Sequence, residues 1–283
     1  MGKLGGYLRL MRPVNCVMMG FAVVVGAALA NPSVLSDFWL NLIYGFVTGF
    51  MLTAASMAIN DYYDRQIDAI NEPNRPIPSG LIKPRQALAL AFILTAIGFI
   101  AALLANLLCL VIAIIAWMVF VTYTTVGKRT GLPGNFLVST CVAIPFIYGS
   151  AATLNSLSLN VLLFALMAFL SNTGREITKG IVDVEGDKNK NIQTLAVRFG
   201  ERIAAVAAVL FYLSAVVLSP IPLLLNFVSS WFIPIVAVTD FGLIVSSSML
   251  LKNHSRENAK KIKKTVLLSL LIGLLAFFIG AIR

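Results

Sequence analysis

The sequence predicts an all-α membrane protein, a bundle of nine transmembrane helices forming one domain over residues 1–283. Three observations predict it. The chain is 59% hydrophobic and only 12% charged, with a mean hydropathy of +0.89, whereas a soluble domain is about a quarter charged. Nine apolar runs each approach or exceed the roughly 20 residues that cross a bilayer core. The positive charges also alternate along the chain. Every Lys and Arg except Arg283 lies before the first run or around the connections after the second, fourth, sixth and eighth.

The runs justify themselves in order. The first, about 13–31, opens on Pro13, which suits a helix first turn. Lys3, Arg9 and Arg12 precede it like a signal-peptide head, but no small-residue cleavage site follows, so it reads as a retained helix. The second, about 38–60, starts at Trp39, an interfacial anchor. The third and fourth, about 86–105 and 107–126, are separated by Asn106 alone. The fifth to ninth fall near 134–153, 158–178, 202–225, 231–251 and 264–282, with Trp231 as a second anchor. The positive-inside rule places the N-terminus and the connections after even-numbered spans in the cytoplasm, and the C-terminus outside. The net charge of +10 is then mostly topological and points away from nucleic acid.

Several chemistries are excluded. His254 is the sole histidine, so neither a Ser-His-Asp arrangement nor a His-based metal centre is available. No glycine-rich phosphate loop occurs. Cys16, Cys109 and Cys141 lie within spans without a C-x-x-C pattern and read as packing residues.

Eight of the twelve acidic residues gather after spans 2 and 6: Asp61, Asp64, Asp68, Glu72, Glu176, Asp183, Glu185 and Asp187. Asn60-Asp61-x-x-Asp64-x-x-x-Asp68 places three carboxylates at i, i+3 and i+7, one face of a continuing helix. Asp183 and Asp187 follow the same logic at i, i+4, although Gly186 weakens the helix there. Carboxylates are costly near lipid and rarely gather there without a cation. Oxygen-only ligand sets suit Mg²⁺, which bridges carboxylates to substrate phosphates. The expected metal ligands and catalytic groups are therefore Asp61, Asp64, Asp68, Asp183 and Asp187, serving a Mg²⁺-diphosphate.

Candidate substrate-binding residues surround them. Asn60 can ligate Mg²⁺ or bond a phosphate oxygen, or simply cap. Arg75, stiffened by Pro76 and Pro78 in an extended turn, can aim its fork at diphosphate; it can also be a positive-inside charge. Lys128, with Tyr123 just before it at the end of span 4, carries the same two readings, as does Lys179 beyond Arg175-Glu176, a pair that reads as structural. Asn15 sits at lipid depth and needs a partner, either the site or another helix.

These motifs resemble the UbiA superfamily of intramembrane prenyltransferases over nearly the whole chain. Arg75-Pro-Ile-Pro-Ser-Gly80, Lys128-Arg-Thr-Gly-Leu-Pro-Gly-Asn135 and Arg175-Glu-Ile-Thr-Lys179 look most like its archaeal branch, which makes the second ether bond of archaeal lipids. Gly180 and Val182 stand where the family pattern is more acidic, so no further metal ligand is expected there. The resemblance implies helices around a central cavity, Mg²⁺ as cofactor, geranylgeranyl diphosphate as donor and geranylgeranylglyceryl phosphate as acceptor, in contact with membrane lipid. Arg12 is a candidate for the acceptor's phosphate. Aromatic acceptors of quinone or porphyrin synthesis are the nearest rival reading. A cation-coupled transporter would carry its carboxylates near the midplane instead, and a CDP-alcohol phosphotransferase would carry a D-x-x-D-G motif absent here.

Overall fold

The computed structural model describes residues 2–33, 37–189 and 192–282. All regular elements among them are helical. A short helix α1 (Lys3–Met11) leads into α2 (Pro13–Ala30), followed by α3 (Trp39–Asn71), α4 (Pro84–Ala105), α5 (Leu107–Thr125), a single 3₁₀ turn (Gly127–Arg129), α6 (Leu132–Leu154) and α7 (Leu159–Val182). Then come α8 (Val184–Asn189), α9 (Leu195–Phe199), α10 (Glu201–Leu218), α11 (Ile221–Leu224), α12 (Phe232–Lys252) and α13 (Arg256–Ala281). Each of the nine apolar runs is matched by one long helix. Eight are long and apolar enough to cross a membrane. The remaining one, α7, is less apolar because its second half carries Asn172, Arg175, Glu176 and Lys179. Lys190 and Arg283, both used to read the charge alternation, lie outside the described residues.

Three details differ from the sequence reading. Helix α1 was not expected as a separate element. It exists because Pro13 disfavours helical backbone at the preceding residue, and Arg12 turns the chain in the left-handed region at φ 53°. Helix α13 begins at Arg256, well before residue 264, because lysines extend a helix readily. The Pro76–Pro78 segment is a compact run of turns rather than an extended one. Ser79 N–H reaches Arg75 O at 3.0 Å and Gly80 N–H reaches Ile77 O at 3.0 Å.

The helices close on each other. α2 packs against α3, α6, α7 and α13; α7 packs against α10 and α13, and α12 pairs with α13. α4 lies against α3 and α5 on the outside. Between helices in lipid, close backbone approach and polar cross-links replace the hydrophobic drive of water. Gly26 and Gly149 provide the approach where α2 crosses α6: a Cβ on Gly26 would lie 2.2 Å from Phe146 O, and one on Gly149 2.2 Å from Val23 O. The cross-links include Asn106, which caps α5 and donates to Ala151 O at 2.8 Å. Tyr148 donates to Thr48 at 3.1 Å between α6 and α3.

The closed arrangement encloses a cavity of about 530 Å³, lined from α2, α3, α5, α6, α7, α12 and α13, a size within the range of ligand pockets. Most of its wall is apolar, with Met18, Met19, Trp117, Phe120, Val142 and Phe277 among the lining side chains. At one end the wall turns polar, through Arg12, Asn60, Tyr123, Arg175, Glu176 and Lys179.

Candidate active site

The polar end is built by the overrun of α3. Its 33 residues span about 50 Å, more than the roughly 30 Å hydrocarbon layer, so its last turns carry Asp61, Asp64 and Asp68 beyond the apolar stretch. All three carboxylates meet cations from elsewhere. Arg12 Nη2 lies 2.5 Å from Asp61 Oδ1. Arg75 Nη1 lies 2.6 Å from Asp68 Oδ2 and 3.6 Å from Asp61 Oδ1, so one guanidinium spans both. Lys128 Nζ donates to Asp64 Oδ2 at 2.8 Å, and the Asn60 amide donates to the same oxygen at 2.9 Å. Lys128 also stands 5.9 Å from the Tyr123 ring centroid. Asp61 and Asp68 are only 2% and 6% exposed, so their charges depend on these partners. Burial pushes the Asp68 carboxyl above its usual range, partly offset by Arg75. Burial likewise pulls the Lys128 ammonium below its usual range, against the pull of Asp64.

The second acidic segment sits where α7 ends. Asp183 caps α7 and is exposed, and α8 restarts at once, with the Asp187 N–H bonding Asp183 O at 2.9 Å. The i, i+4 relation survives a break at Asp183, and the helix continues through Gly186, where the sequence expected it to weaken. Three loops are tied together at this level. Gln193 N–H reaches Arg129 O at 3.2 Å. Gly131, at φ 72°, leaves room for Gln193 O where a Cβ would approach to 2.1 Å. Arg256 Nε donates to Val182 O at 3.0 Å. The Lys128 loop, the second acidic segment and the start of α13 are thereby held side by side.

Of the residues expected from the sequence, Asp61, Asp64, Asp68, Asn60, Arg75, Lys128 and Tyr123 come together, and Arg12 joins them. Asn15 and Lys179 line the same cavity. Asp183 and Asp187 lie on the segment that the Gln193–Arg129 bond ties to the Lys128 loop. Among the described residues, no three His, Cys, Asp or Glu side chains are close enough to hold a metal. The donor set nonetheless fits Mg²⁺ chemically: hard carboxylate oxygens on one helix face, with no thiolate or imidazole among them.

Glu176, its side chain 10% exposed, accepts from Arg175 and from Lys179 at 3.2 Å each, in line with the structural reading of the Arg175–Glu176 pair, and forms the centre of a second charged group on α7. One feature escaped the sequence reading. Asp240 lines the cavity from α12 and accepts from Ser219 at 2.6 Å. A lone carboxylate inside the apolar run 232–251 was its signal, since such residues rarely sit in a span without a role.

Relatives agree with this architecture. Residues 19–279 match the UbiA prenyltransferase family. The digeranylgeranylglyceryl phosphate synthase of Archaeoglobus fulgidus is 39% identical over 99% of this chain and 98% of its own length. That of Methanopyrus kandleri is 37% identical over 96% and 97%. A solved structure concerned with digeranylgeranylglyceryl phosphate synthase in membranes superposes with TM-score 0.82 at 33% identity, covering 100% of this chain and 99% of that one. A UbiA homolog from Archaeoglobus fulgidus, solved with GPP and Mg²⁺, shares the fold at TM-score 0.69 and 17% identity, over 96% and 99%. The match over residues 19–279 and the 37–39% identity to synthases of comparable length place the chain in the UbiA prenyltransferase family.

Proposed function

We propose that this protein transfers a geranylgeranyl group from geranylgeranyl diphosphate to the sn-2 hydroxyl of geranylgeranylglyceryl phosphate, with Mg²⁺ as cofactor. The observation that carries the reading is a cavity that joins an apolar wall to an end rich in paired carboxylates and cations. An allylic diphosphate has that same division, a hydrocarbon tail and a strongly anionic head. The synthases of comparable length at 37–39% identity support the choice of acceptor.

The residues have distinct tasks in this reading. Asp61, Asp64, Asp68, Asp183 and Asp187 hold Mg²⁺, whose bound charge neutralises the departing diphosphate. Arg75 and Lys128 turn from the aspartates they pair with toward the same phosphates, and Lys179 supplies a further phosphate contact. Asn60 orients Asp64, while Asn15 and Tyr123 form the wall beside the reacting carbon. As the C1–O bond to diphosphate breaks, the apolar wall keeps water from the allylic cation. The sn-2 oxygen then bonds to C1, and its proton, made strongly acidic by that bond, leaves. In this reading the N-terminus and the acidic end of the cavity face the cytoplasm and the C-terminus lies outside, which the concentration of Lys and Arg in alternate connections supports.

The test offers labelled geranylgeranyl diphosphate and Mg²⁺ to purified protein with geranylgeranylglyceryl phosphate or 4-hydroxybenzoate in parallel. Ether product only from the glyceryl phosphate is expected. Product only from the aromatic acid would move the protein to quinone synthesis. Lys128→Ala is expected to raise the KM for geranylgeranyl diphosphate by about tenfold or more, since a charge-assisted contact contributes roughly 1.5–3 kcal/mol. Unchanged kinetics would reduce Lys128 to a topological charge.

A further inference from the structure

The polar end of the cavity carries two cationic groups, and only one is balanced by carboxylates. On the α2–α3 side, Arg12, Arg75 and Lys128 are each committed to an aspartate within 2.5–2.8 Å. On the α7–α13 side, Arg175 and Lys179 share one buried carboxylate, Glu176. Lys263, half-buried on α13, acts electrostatically on Arg175, Glu176, Lys179 and Asp183. Asp183, in the same group, is exposed. Three cations against Glu176 and Asp183 leave a surplus of one positive charge.

Arg175 lines the cavity, and its Nε–H is buried with no hydrogen-bond partner among the described residues. Orphaned buried donors are rare in native proteins and call for an explanation. A ligand oxygen entering the cavity supplies one. Tyr123 marks the boundary between the two groups: its ring stands beside Lys128, and it interacts electrostatically with Lys179 and Glu176.

Resting on the function proposed above, we infer that Arg175 and Lys179, which line the cavity, bind the phosphomonoester of the acceptor, with Lys263 adding its positive charge to the group, while the α2–α3 side serves the donor diphosphate. A phosphomonoester, which carries about −1.5 to −2 at neutral pH, is drawn to a group that keeps a positive surplus and an unpartnered guanidinium N–H. Arg175, anchored by Glu176 through Nη1, keeps Nε–H free for a phosphate oxygen, a charge-assisted bond of the strong kind. Two separate cationic groups also hold two mutually repelling anionic heads apart, so that the sn-2 hydroxyl and C1 meet between them beside Tyr123. The assignment refines the role of Lys179: its phosphate is the acceptor's.

The test compares wild type with Arg175→Lys and Lys263→Ala, each first checked for an unchanged melting temperature. Arg175→Lys keeps the charge against Glu176 but loses the fork and Nε–H. Binding of geranylgeranylglyceryl phosphate is measured with EDTA present, and KM values are measured for that acceptor, for geranylgeranylglycerol lacking the phosphate, and for geranylgeranyl diphosphate. The expected result is acceptor binding that survives EDTA and weakens about tenfold in either variant. Constants for geranylgeranyl diphosphate and for the unphosphorylated acceptor should stay unchanged. If both variants keep the wild-type acceptor constants, or lose donor affinity instead, the inference is overturned and the function reading stands. If wild type turns over no glyceryl phosphate at all, the function reading fails and takes the inference with it.

Discussion

Asp64→Asn is expected to slow prenyl transfer by about 10²–10³-fold, the usual consequence of removing one group that stabilises charge in a transition state. The substitution is nearly isosteric. The replacement side chain keeps an oxygen for the Asn60 amide, which donates to Asp64 at 2.9 Å in the wild type. It loses the charge that faces both Lys128 and the proposed metal. Stability should change little, because Asp64 is one quarter exposed and its ion pair with Lys128 is partly solvated. The two readouts are single-turnover transfer and the thermal melt in detergent. Wild-type turnover by the folded variant would remove Asp64 from the site, and loss of folding would recast it as structural.

Gly149→Ala should produce the second large effect, this time on stability. The added Cβ would lie 2.2 Å from Val23 O and 2.5 Å from Ala27 N, both backbone atoms of α2. Neither can swing aside as a side chain would, so α2 and α6 must separate. Overpacking of this kind costs about 1–3 kcal/mol and occasionally more, set against a gain of up to roughly 1 kcal/mol from replacing Gly in a helix. The net expectation is a clear drop in melting temperature, with transfer reduced as well, because Phe146 and Tyr148 on the same helix line the cavity. Gly186→Ala is the control, since nothing lies within 4 Å of the position its Cβ would take. An equal melting temperature for Gly149→Ala and wild type would mean that the crossing is looser than described.

The Gly26–Gly149 crossing illustrates what the sequence could and could not convey. The spans were legible because apolarity and length are local properties: each of the nine apolar runs meets one long helix, eight of them apolar enough to cross a membrane among the described residues. The face of Asp61, Asp64 and Asp68 was legible because helical periodicity acts within one element. Arg12 meeting Asp61 across 49 residues was not, because side-chain pairing between helices follows from packing geometry. The Pro76–Pro78 segment misled for a different reason. Proline fixes φ but leaves ψ open, and the bond from Ser79 N–H to Arg75 O folds the loop compactly, bringing Arg75 back onto Asp68.

The proposed function requires both acidic segments to serve one metal–diphosphate site, although no three carboxylates among the described residues gather closely enough to hold a metal in the structure. Mn²⁺, as a paramagnetic substitute for Mg²⁺, measures this directly. Its binding to the purified protein would be followed by electron paramagnetic resonance, with and without an unreactive geranylgeranyl thiodiphosphate. Wild type is expected to bind Mn²⁺ tightly only with the diphosphate present, and Asp64→Asn and Asp183→Asn should each lose that binding. Full Mn²⁺ and diphosphate binding by Asp183→Asn would contradict the account and leave the aspartates of α3 to act alone.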